Sequence, residues 1–224
     1  MRTFVGMLAL LAPPLLAQAP AARFMYIYRD SLKRGADSAY RAIENDGAQI
    51  CADLRCPNTY VALESLSGPH EAWWINTFAS EADTARVARV YATNRELSDA
   101  LGGLARRKAA LIGSPRQGFA RFRPDLSRGP AWSLTGARFV VVKISREHRR
   151  ANGSAWAMGD SIVYMLRPVQ TLQEATALAR HDSALVYAVR PAWSMPSPDW
   201  VAADPDFWRG APRPTPRVSP NREP

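Results

Sequence analysis

Alternating apolar and polar positions in the first half of the chain predict a four-stranded sheet. The segments that show this alternation are Phe24–Arg29, Thr59–Leu66, Glu71–Phe78 and Gln117–Arg123. They are rich in aromatic and β-branched residues, which favour strands. Residues Ser67–His70 have turn chemistry, so the second and third strands should form a hairpin.

Helical periodicity separates these strands. A helix from Asp37 or Ser38 to the residues before Pro57 is predicted by apolar positions at helical spacing, namely Tyr40, Ile43, Ile50 and Leu54. A second helical pattern begins at Ser80, where the sequence resembles a capping box. The pattern runs to about Ile112 and is broken near Thr93–Asn94. The resulting order, strand–helix–strand–strand–helix–strand, is the ferredoxin-like split unit.

The rest of the chain repeats this pattern in shortened form. Three pairs of short segments match in order: Ala22–Phe24 with Ala137–Phe139, Ser80–Arg89 with Thr171–Arg180, and Phe122–Ser127 with Val189–Ser194. The offset falls by 24 residues from each pair to the next, and the first loss is about the length of the helix after Asp37. We therefore predict an α+β fold, a duplicated ferredoxin-like chain whose truncated second copy lacks that helix. Its antiparallel sheets should pack as a barrel-like sandwich.

These patterns divide the chain into four parts. Residues 1–19 form a predicted signal peptide, 20–128 the first ferredoxin-like half and 129–208 the degenerate second half. Residues 209–224 are rich in Pro and Arg and lack an apolar face, so we expect them to be disordered.

The predicted signal peptide has the usual layout of a secretory leader. Arg2 precedes the apolar run Phe4–Leu16, which is shorter than the roughly 20 residues of a membrane-spanning helix. Ala17–Ala19 supplies the small residues that signal peptidase recognises; the alternative is an ordinary apolar N-terminal helix. We predict a periplasmic or secreted protein whose mature chain begins near Gln18 or Pro20. N-terminal sequencing tests this, and an uncleaved cytosolic product would contradict it.

The predicted export would place the two cysteines in an oxidising compartment, where two interpretations are open. Cys56 precedes Pro57, which disfavours helical backbone at Cys56 and leaves it free to fold back towards Cys51. A disulfide between Cys51 and Cys56 and a pair of buried thiols both stay open. Two cysteines exclude a disulfide scaffold and a four-cysteine zinc module. The histidines, which are His70, His148 and His181, are too far apart in sequence to indicate a metal site. We predict no metal and no cofactor.

The chain is basic, with 29 Lys and Arg against 20 Asp and Glu. In an exported protein such a charge favours anionic envelope surfaces over nucleic acid as a partner. We predict no nucleic-acid binding. Two clusters, Arg106–Lys108 and Arg146–Arg150, are interpreted as solvated faces, with a binding patch as the alternative.

Side-chain alternation brings aromatic and polar residues to one face of the first sheet. The candidate ligand-binding residues on this face are Tyr26, Tyr28, Glu64, Trp74, Asn76 and Arg121. We expect the more apolar opposite set to meet the helices and this set to line the sheet's other face. A small apolar or aromatic ligand suits such a composition. The alternative is a buried Glu64–Arg121 ion pair at the seam between the halves, with the aromatic residues as core.

The segments Phe24–Arg29, Glu71–Glu81 and Phe119–Pro124, in a ferredoxin-like half followed by a second such half, resemble the dimeric α/β-barrel superfamily. That superfamily includes antibiotic-biosynthesis-type monooxygenases and NIPSNAP-like proteins. The resemblance covers roughly residues 23–200 at the level of element order. It implies two split units with their sheets face to face, across a dimer or within one chain, so monomer and homodimer both stay open.

The function expected on such a scaffold is binding without catalysis. Gly-rich phosphate loops, a Gly-x-Ser-x-Gly elbow and His-Glu-x-x-His are missing from the sequence, which disfavours nucleotide enzymes and covalent hydrolases. No catalytic residue follows from the resemblance. We expect an exported protein that is non-catalytic or binds a small molecule weakly. One alternative is a cofactor-independent monooxygenase-like enzyme with its site in the inter-sheet cavity, and another is a basic module for anionic envelope surfaces.

Overall fold

The structure is a computed structural model that describes residues 22–129, 131–132, 134–147, 149–150 and 152–215. The predicted signal peptide, His148 and the end of the predicted tail lie outside the described residues. The first residues of that tail, up to Thr215, are described, and the Thr215 backbone N–H donates to Asp53 at 2.7 Å.

Eight strands form one closed antiparallel barrel. In chain order they are β1 (Phe24–Ser31), β2 (Tyr60–Ser65), β3 (Glu71–Phe78), β4 (Arg116–Phe122), β5 (Phe139–Ser145), β6 (Ser154–Met158), β7 (Ile162–Val169) and β8 (Leu185–Val189). Around the barrel they follow the order β1-β3-β2-β8-β5-β7-β6-β4. A mixed fold of antiparallel strands closed into a barrel with helices outside confirms the predicted fold class at this level.

The described residues include five α-helices outside the barrel. They are α1 (Asp37–Asp53), α2 (Glu81–Thr93), α3 (Arg95–Ala109), α4 (Leu172–Asp182) and the short α5 (Pro198–Ala203). The pattern that begins at Ser80 is two helices, because Asn94 ends α2 and its side chain caps α3. Ser80 and Thr171 also cap their helices by accepting a backbone N–H three residues on. None of the helices in the described part of the chain has the length and apolar content that a membrane crossing needs.

The second half is shortened between its first two strands. In the first half, α1 connects β1 to β2, whereas the described residues between β5 and β6, which are 146–147, 149–150 and 152–153, contain no helix. The outer face of the second half is therefore less covered than that of the first.

Large side chains pack the barrel interior. Met25 and Ile27 of β1 are buried there beside Trp73, and Trp73 contacts the rings of Tyr164 and Tyr187 at centroid distances of 5.8 and 5.1 Å. The prediction that the apolar set meets the helices is therefore wrong. A sheet that closes on itself buries its inner face most completely, so the most apolar set lies inside and the aromatic and polar set faces the helices. Packing of this kind does not favour an inter-sheet cavity as the site of the alternative enzyme.

Candidate functional site

A pocket of about 610 Å³ lies outside the barrel, between the sheet of the first half and helices α1, α2 and α3. We call it the helix–sheet pocket. The strands line it with Tyr26, Tyr28, Tyr60, Trp74, Asn76, Phe78 and Phe119. The helices contribute Ile43, Glu44, Gly47, Ala48, Val87, Ala88, Tyr91, Leu104 and Lys108, among others. The walls are mainly aromatic and aliphatic, with polar groups at two places.

Strand register explains the aromatic wall. Tyr26 pairs with Asn76 and Tyr28 pairs with Trp74 across β1 and β3, so these four side chains lie on one face. The Tyr28 and Trp74 rings meet nearly edge-on at 5.7 Å. The pocket thus contains four of the six candidate residues predicted from the sequence, although it faces the helices and not the barrel interior.

Glu64 and Arg121 do not line the helix–sheet pocket and do not pair with each other. β3 and β1 separate their strands, β2 and β4. Glu64 is buried at the β2–β8 seam, where it accepts from Arg41 of α1 at 2.8 Å and also pairs with Arg190. Arg121 is exposed and pairs with Glu81 at 3.1 Å. The expected Glu64–Arg121 pair is therefore wrong, and Arg190 supplies the ion pair between the halves.

One end of the pocket carries a charged cluster of Asp30, Glu44 and Lys108. The Lys108 Nζ lies 2.8 Å from Asp30 Oδ2 and 3.0 Å from Glu44 Oε1. The Tyr40 hydroxyl also donates to Asp30 Oδ2, at 2.8 Å. The same ammonium lies 4.7 Å from the centre of the Trp74 ring. This end of the pocket is therefore both charged and aromatic.

The cluster is buried, and its carboxylates are not fully hydrogen-bonded. Asp30 is completely buried, and its Oδ1 has no hydrogen-bond partner among the described residues. Glu44 Oε1 also lacks a well-directed hydrogen bond, so its short contact with Lys108 is chiefly electrostatic. Glu44 lines the pocket, although its Oε1 is itself buried.

Burial and charge act in opposition on the titration of this cluster. Burial raises the pKa of Glu44, and the positive charge of Lys108 only partly offsets the rise. Burial alone would lower the pKa of Lys108, but the charges of Glu44 and Asp30 outweigh it and raise this pKa. Burial, aided by the Asp30 charge, raises the pKa of Tyr28 to about 12. Tyr28 is therefore a neutral phenol at physiological pH, and Lys108 is an ammonium.

The second polar part of the pocket is an uncharged cluster around Asn76. Asn58 donates to Asn76 Oδ1, and the Tyr91 hydroxyl donates to Asn58 Oδ1 at 2.8 Å. Burial raises the pKa of Tyr91 to about 12, so this phenol is also neutral. The pocket therefore offers neutral amide and phenol groups besides the charged cluster.

Cys51 lies at the C-terminal end of α1, in the wall of the pocket, and forms a disulfide with Cys56. The Cys56 backbone N–H also donates to the Cys51 carbonyl oxygen at 2.8 Å. The disulfide therefore closes the turn that leads from α1 towards β2, beside the aromatic wall.

Sequence reasoning did not identify the charged cluster. The sequence predicts a solvated cluster at Arg106–Lys108, yet Lys108 faces inwards, whereas Arg106 and Arg107 are exposed. The available signal was helical spacing: Tyr40 and Glu44 are four residues apart and therefore share the inward face of α1.

Comparisons with known proteins give similar folds at low similarity. No protein-family model and no curated protein sequence matches the chain. Protein Atu4242 from Agrobacterium tumefaciens is 27% identical over 45% of this chain and 94% of its own, with a TM-score of 0.35. A candidate monooxygenase from Lactobacillus acidophilus is 7% identical over 75% of this chain and 93% of its own, with a TM-score of 0.45. Another candidate monooxygenase, from Fusobacterium nucleatum, is 5% identical over 79% of this chain and 94% of its own, with a TM-score of 0.44. Similarities of this size do not assign the chain to a family.

Proposed function

We propose that this protein binds a small, largely apolar or aromatic molecule in the helix–sheet pocket, outside the cytoplasm. The observation that carries the proposal is a pocket of about 610 Å³ with an aromatic wall and few polar groups. Ligand sites in proteins commonly measure about 300–1,000 Å³ and have this composition. The leader-like residues 1–19 support the proposed location.

The aromatic wall differs from ordinary core packing. Tyr26, Tyr28 and Trp74 are only partly buried, whereas Trp73, the neighbour of Trp74 on the inner face, is fully buried. A purely structural contact between the helices and the sheet would bury these three aromatic rings as fully as Asn76 and Phe78 beside them. The partly open outer face supports a wall that a ligand covers.

The two polar places suggest how a ligand is oriented. Its ring or alkyl body would lie against Tyr28 and Trp74, with a polar group directed towards the charged cluster or towards Asn76. Lys108 already neutralises charge within the cluster, so the pocket does not favour an anionic head group. We infer a neutral or weakly basic ligand.

A fluorescence titration with the neutral aromatic probe N-phenyl-1-naphthylamine tests the proposal. Ala88 lines the pocket from α2, so Ala88→Phe should obstruct it and weaken probe binding at least about tenfold, equivalent to about 1.4 kcal/mol. Trp74→Leu should have a similar effect. Ala92→Phe is the matched control, because Ala92 is exposed in α2 like Ala88 but does not line the pocket. Equal dissociation constants for all four proteins, wild type included, would refute binding in this pocket.

The enzyme alternative would use the same pocket, and one observation favours it. Glu44 lines the pocket with a raised pKa, as suits a group that exchanges a proton with substrate. Oxygen uptake with a bound ligand separates this monooxygenase-like alternative from binding alone. If the enzyme exists, Glu44→Gln should abolish uptake while retaining the ligand.

We also propose that the two halves arose by duplication. In each half the strand order is fourth, first, third, second, and the three matched sequence segments occupy equivalent places. They lead into β1 and β5, cap α2 and α4, and end β4 and β8. Sequences of closer relatives test this, because the halves should become more alike at these three places as relatives are added.

A further inference from the structure

The outer face of the second half contains a groove where the first half has a helix. Two adjoining clefts of about 630 and 170 Å³ lie beside β7 and α4. Arg128, Asn152 and Arg167 line both clefts, so the clefts are continuous at these residues. In the barrel order, β5 and β7 are diametrically opposite β1 and β3. The groove is therefore separate from the helix–sheet pocket.

Positive charge exceeds negative charge in this groove. Four cations line it, namely Arg128, Lys143, Arg150 and Arg167, against the two acids Glu174 and Asp182. Glu174 lies 3.9 Å from Arg167, and the Asp182 carboxylate is 2.8 Å from His181 Nδ1. Within the described ranges, no carboxylate lies within 4 Å of Arg128 or Lys143. The groove thus has cationic groups whose charge the protein does not balance locally.

Several arginines outside the groove are balanced by an acid close by. Arg107, Arg123 and Arg138 each have an acidic partner within 3 Å. Arg128 and Arg167 instead share one cleft wall, where like charges repel. A bound anion removes that repulsion.

Neutral donors reinforce the preference for an anion. Asn152 and Gln170 line the larger cleft. Trp132 lines it as well, but its indole Nε1 has almost no accessible surface. The side-chain amides of Asn152 and Gln170 can each donate to an anion.

We propose that this groove binds a linear anion that carries two or more phosphate groups. Guanidinium groups match phosphate oxygens with paired donors, so Arg128 and Arg167 would hold one phosphate where the clefts join. Lys143 and Arg150 line the smaller cleft and would hold the next phosphate. A soluble oligophosphate and the phosphates of a lipid head group share this chemistry. The inference does not depend on ligand binding in the helix–sheet pocket.

Calorimetric titration of the full mature chain with tripolyphosphate, at low ionic strength, tests the proposal. Arg128→Gln and Lys143→Gln should each weaken binding about tenfold or more, and raising the salt concentration should weaken wild-type binding. Arg121→Gln is the matched control: it removes an exposed arginine from β4, outside the groove, and should leave affinity unchanged. Thermal melts verify that all variants fold, and Arg167→Gln replaces any variant that does not.

The outcomes separate cleanly. Loss of affinity confined to the groove variants supports the site, whereas no binding by wild type, or equal losses in Arg121→Gln, overturns it. Co-sedimentation with cardiolipin vesicles, whose head group carries two phosphates, against phosphatidylcholine vesicles distinguishes the sources. If the protein sediments with the anionic vesicles and tripolyphosphate releases it, the ligand is a lipid head group. If the protein binds tripolyphosphate but does not sediment with the vesicles, the ligand is a soluble phosphate compound.

Discussion

Replacing Arg29 with Met should lower the free energy of unfolding by about 3–5 kcal/mol, because it leaves a carboxylate without its counter-charge inside the barrel. The Arg29 side chain is 11% exposed and that of Glu71 is 2% exposed. One guanidinium nitrogen of Arg29 donates to both Glu71 oxygens, at 3.1 and 2.8 Å, and the guanidinium carbon lies 4.3 Å from the centre of the Trp73 ring. A typical domain has only about 5–15 kcal/mol of stability, so the loss is large.

Arg121→Met is the matched control for this prediction. Arg121 also has one carboxylate partner, Glu81, and lies 4.8 Å from the Phe24 ring, but its side chain is 67% exposed. Exposed pairs contribute about 0–1 kcal/mol, so the control should change stability little. Urea unfolding at neutral pH measures both variants.

The double variant Arg29→Met/Glu71→Gln identifies the cause of the loss. It removes the unpaired charge, while the Gln carbonyl can still accept from the Tyr187 hydroxyl, which donates to Glu71 in the native protein. The double variant should therefore recover much of the stability that Arg29→Met loses. A single variant as stable as Arg121→Met, or a double variant no better than the single, would show that the pair is not the determinant.

The strands of the first half could be predicted from the sequence because strand alternation is a local property. β3 has the predicted bounds Glu71–Phe78, and the predicted start of the first strand, Phe24, is the start of β1. The caps Ser80 and Thr171 begin the helical segments for the same reason: a cap depends on residues three positions away.

Which face of each strand points into the barrel could not be predicted in the same way. Alternation shows that Trp73 and Trp74 point to opposite sides, but only closure of the barrel decides which side is inside. Closure depends on pairing between β2 and β8 and between β4 and β6, which are far apart in sequence. The partner of Glu64 was unpredictable for this reason, since Arg190 is adjacent only after the halves meet.

Lys108 shows the same limit on a helix. Its neighbours Arg106 and Arg107 suggest a solvated charge run, and the acids that draw it inwards, Asp30 and Glu44, come from β1 and α1. Asp30, Glu44 and Lys108 are too far apart in the sequence for any short segment to contain all three. A buried charged cluster assembled from separate elements is thus the part of a candidate site that sequence patterns are least able to reveal.

Replacing Lys108 with Met should also cost about 3–5 kcal/mol at neutral pH, because it leaves the buried Asp30 and Glu44 carboxylates facing each other without a cation. The control is Arg107→Met on the same turn of α3, whose 2.9 Å pair with Asp46 is exposed on both sides. That variant should stay within about 1 kcal/mol of wild type. Urea unfolding at pH 7 measures both.

The pH dependence distinguishes this electrostatic cost from a simple loss of packing. In the wild-type protein the raised pKa of Lys108 means that its ammonium stabilises the fold below the unfolded value of about 10.4, and that this contribution is lost as the pH rises through the folded value. Lys108→Met should lack that alkaline loss.

At lower pH the variant should differ from wild type through Glu44. Without the ammonium, the pKa of Glu44, already raised by burial, should rise further. A carboxyl group with a raised folded pKa binds its proton more tightly in the folded state, so stability increases as the pH falls through that value. The variant should therefore be closer to wild type at pH 5 than at pH 8. A deficit that is the same at both pH values would attribute the loss to packing around the Lys108 methylenes, and the cluster would then have no electrostatic role in holding α3 against the pocket.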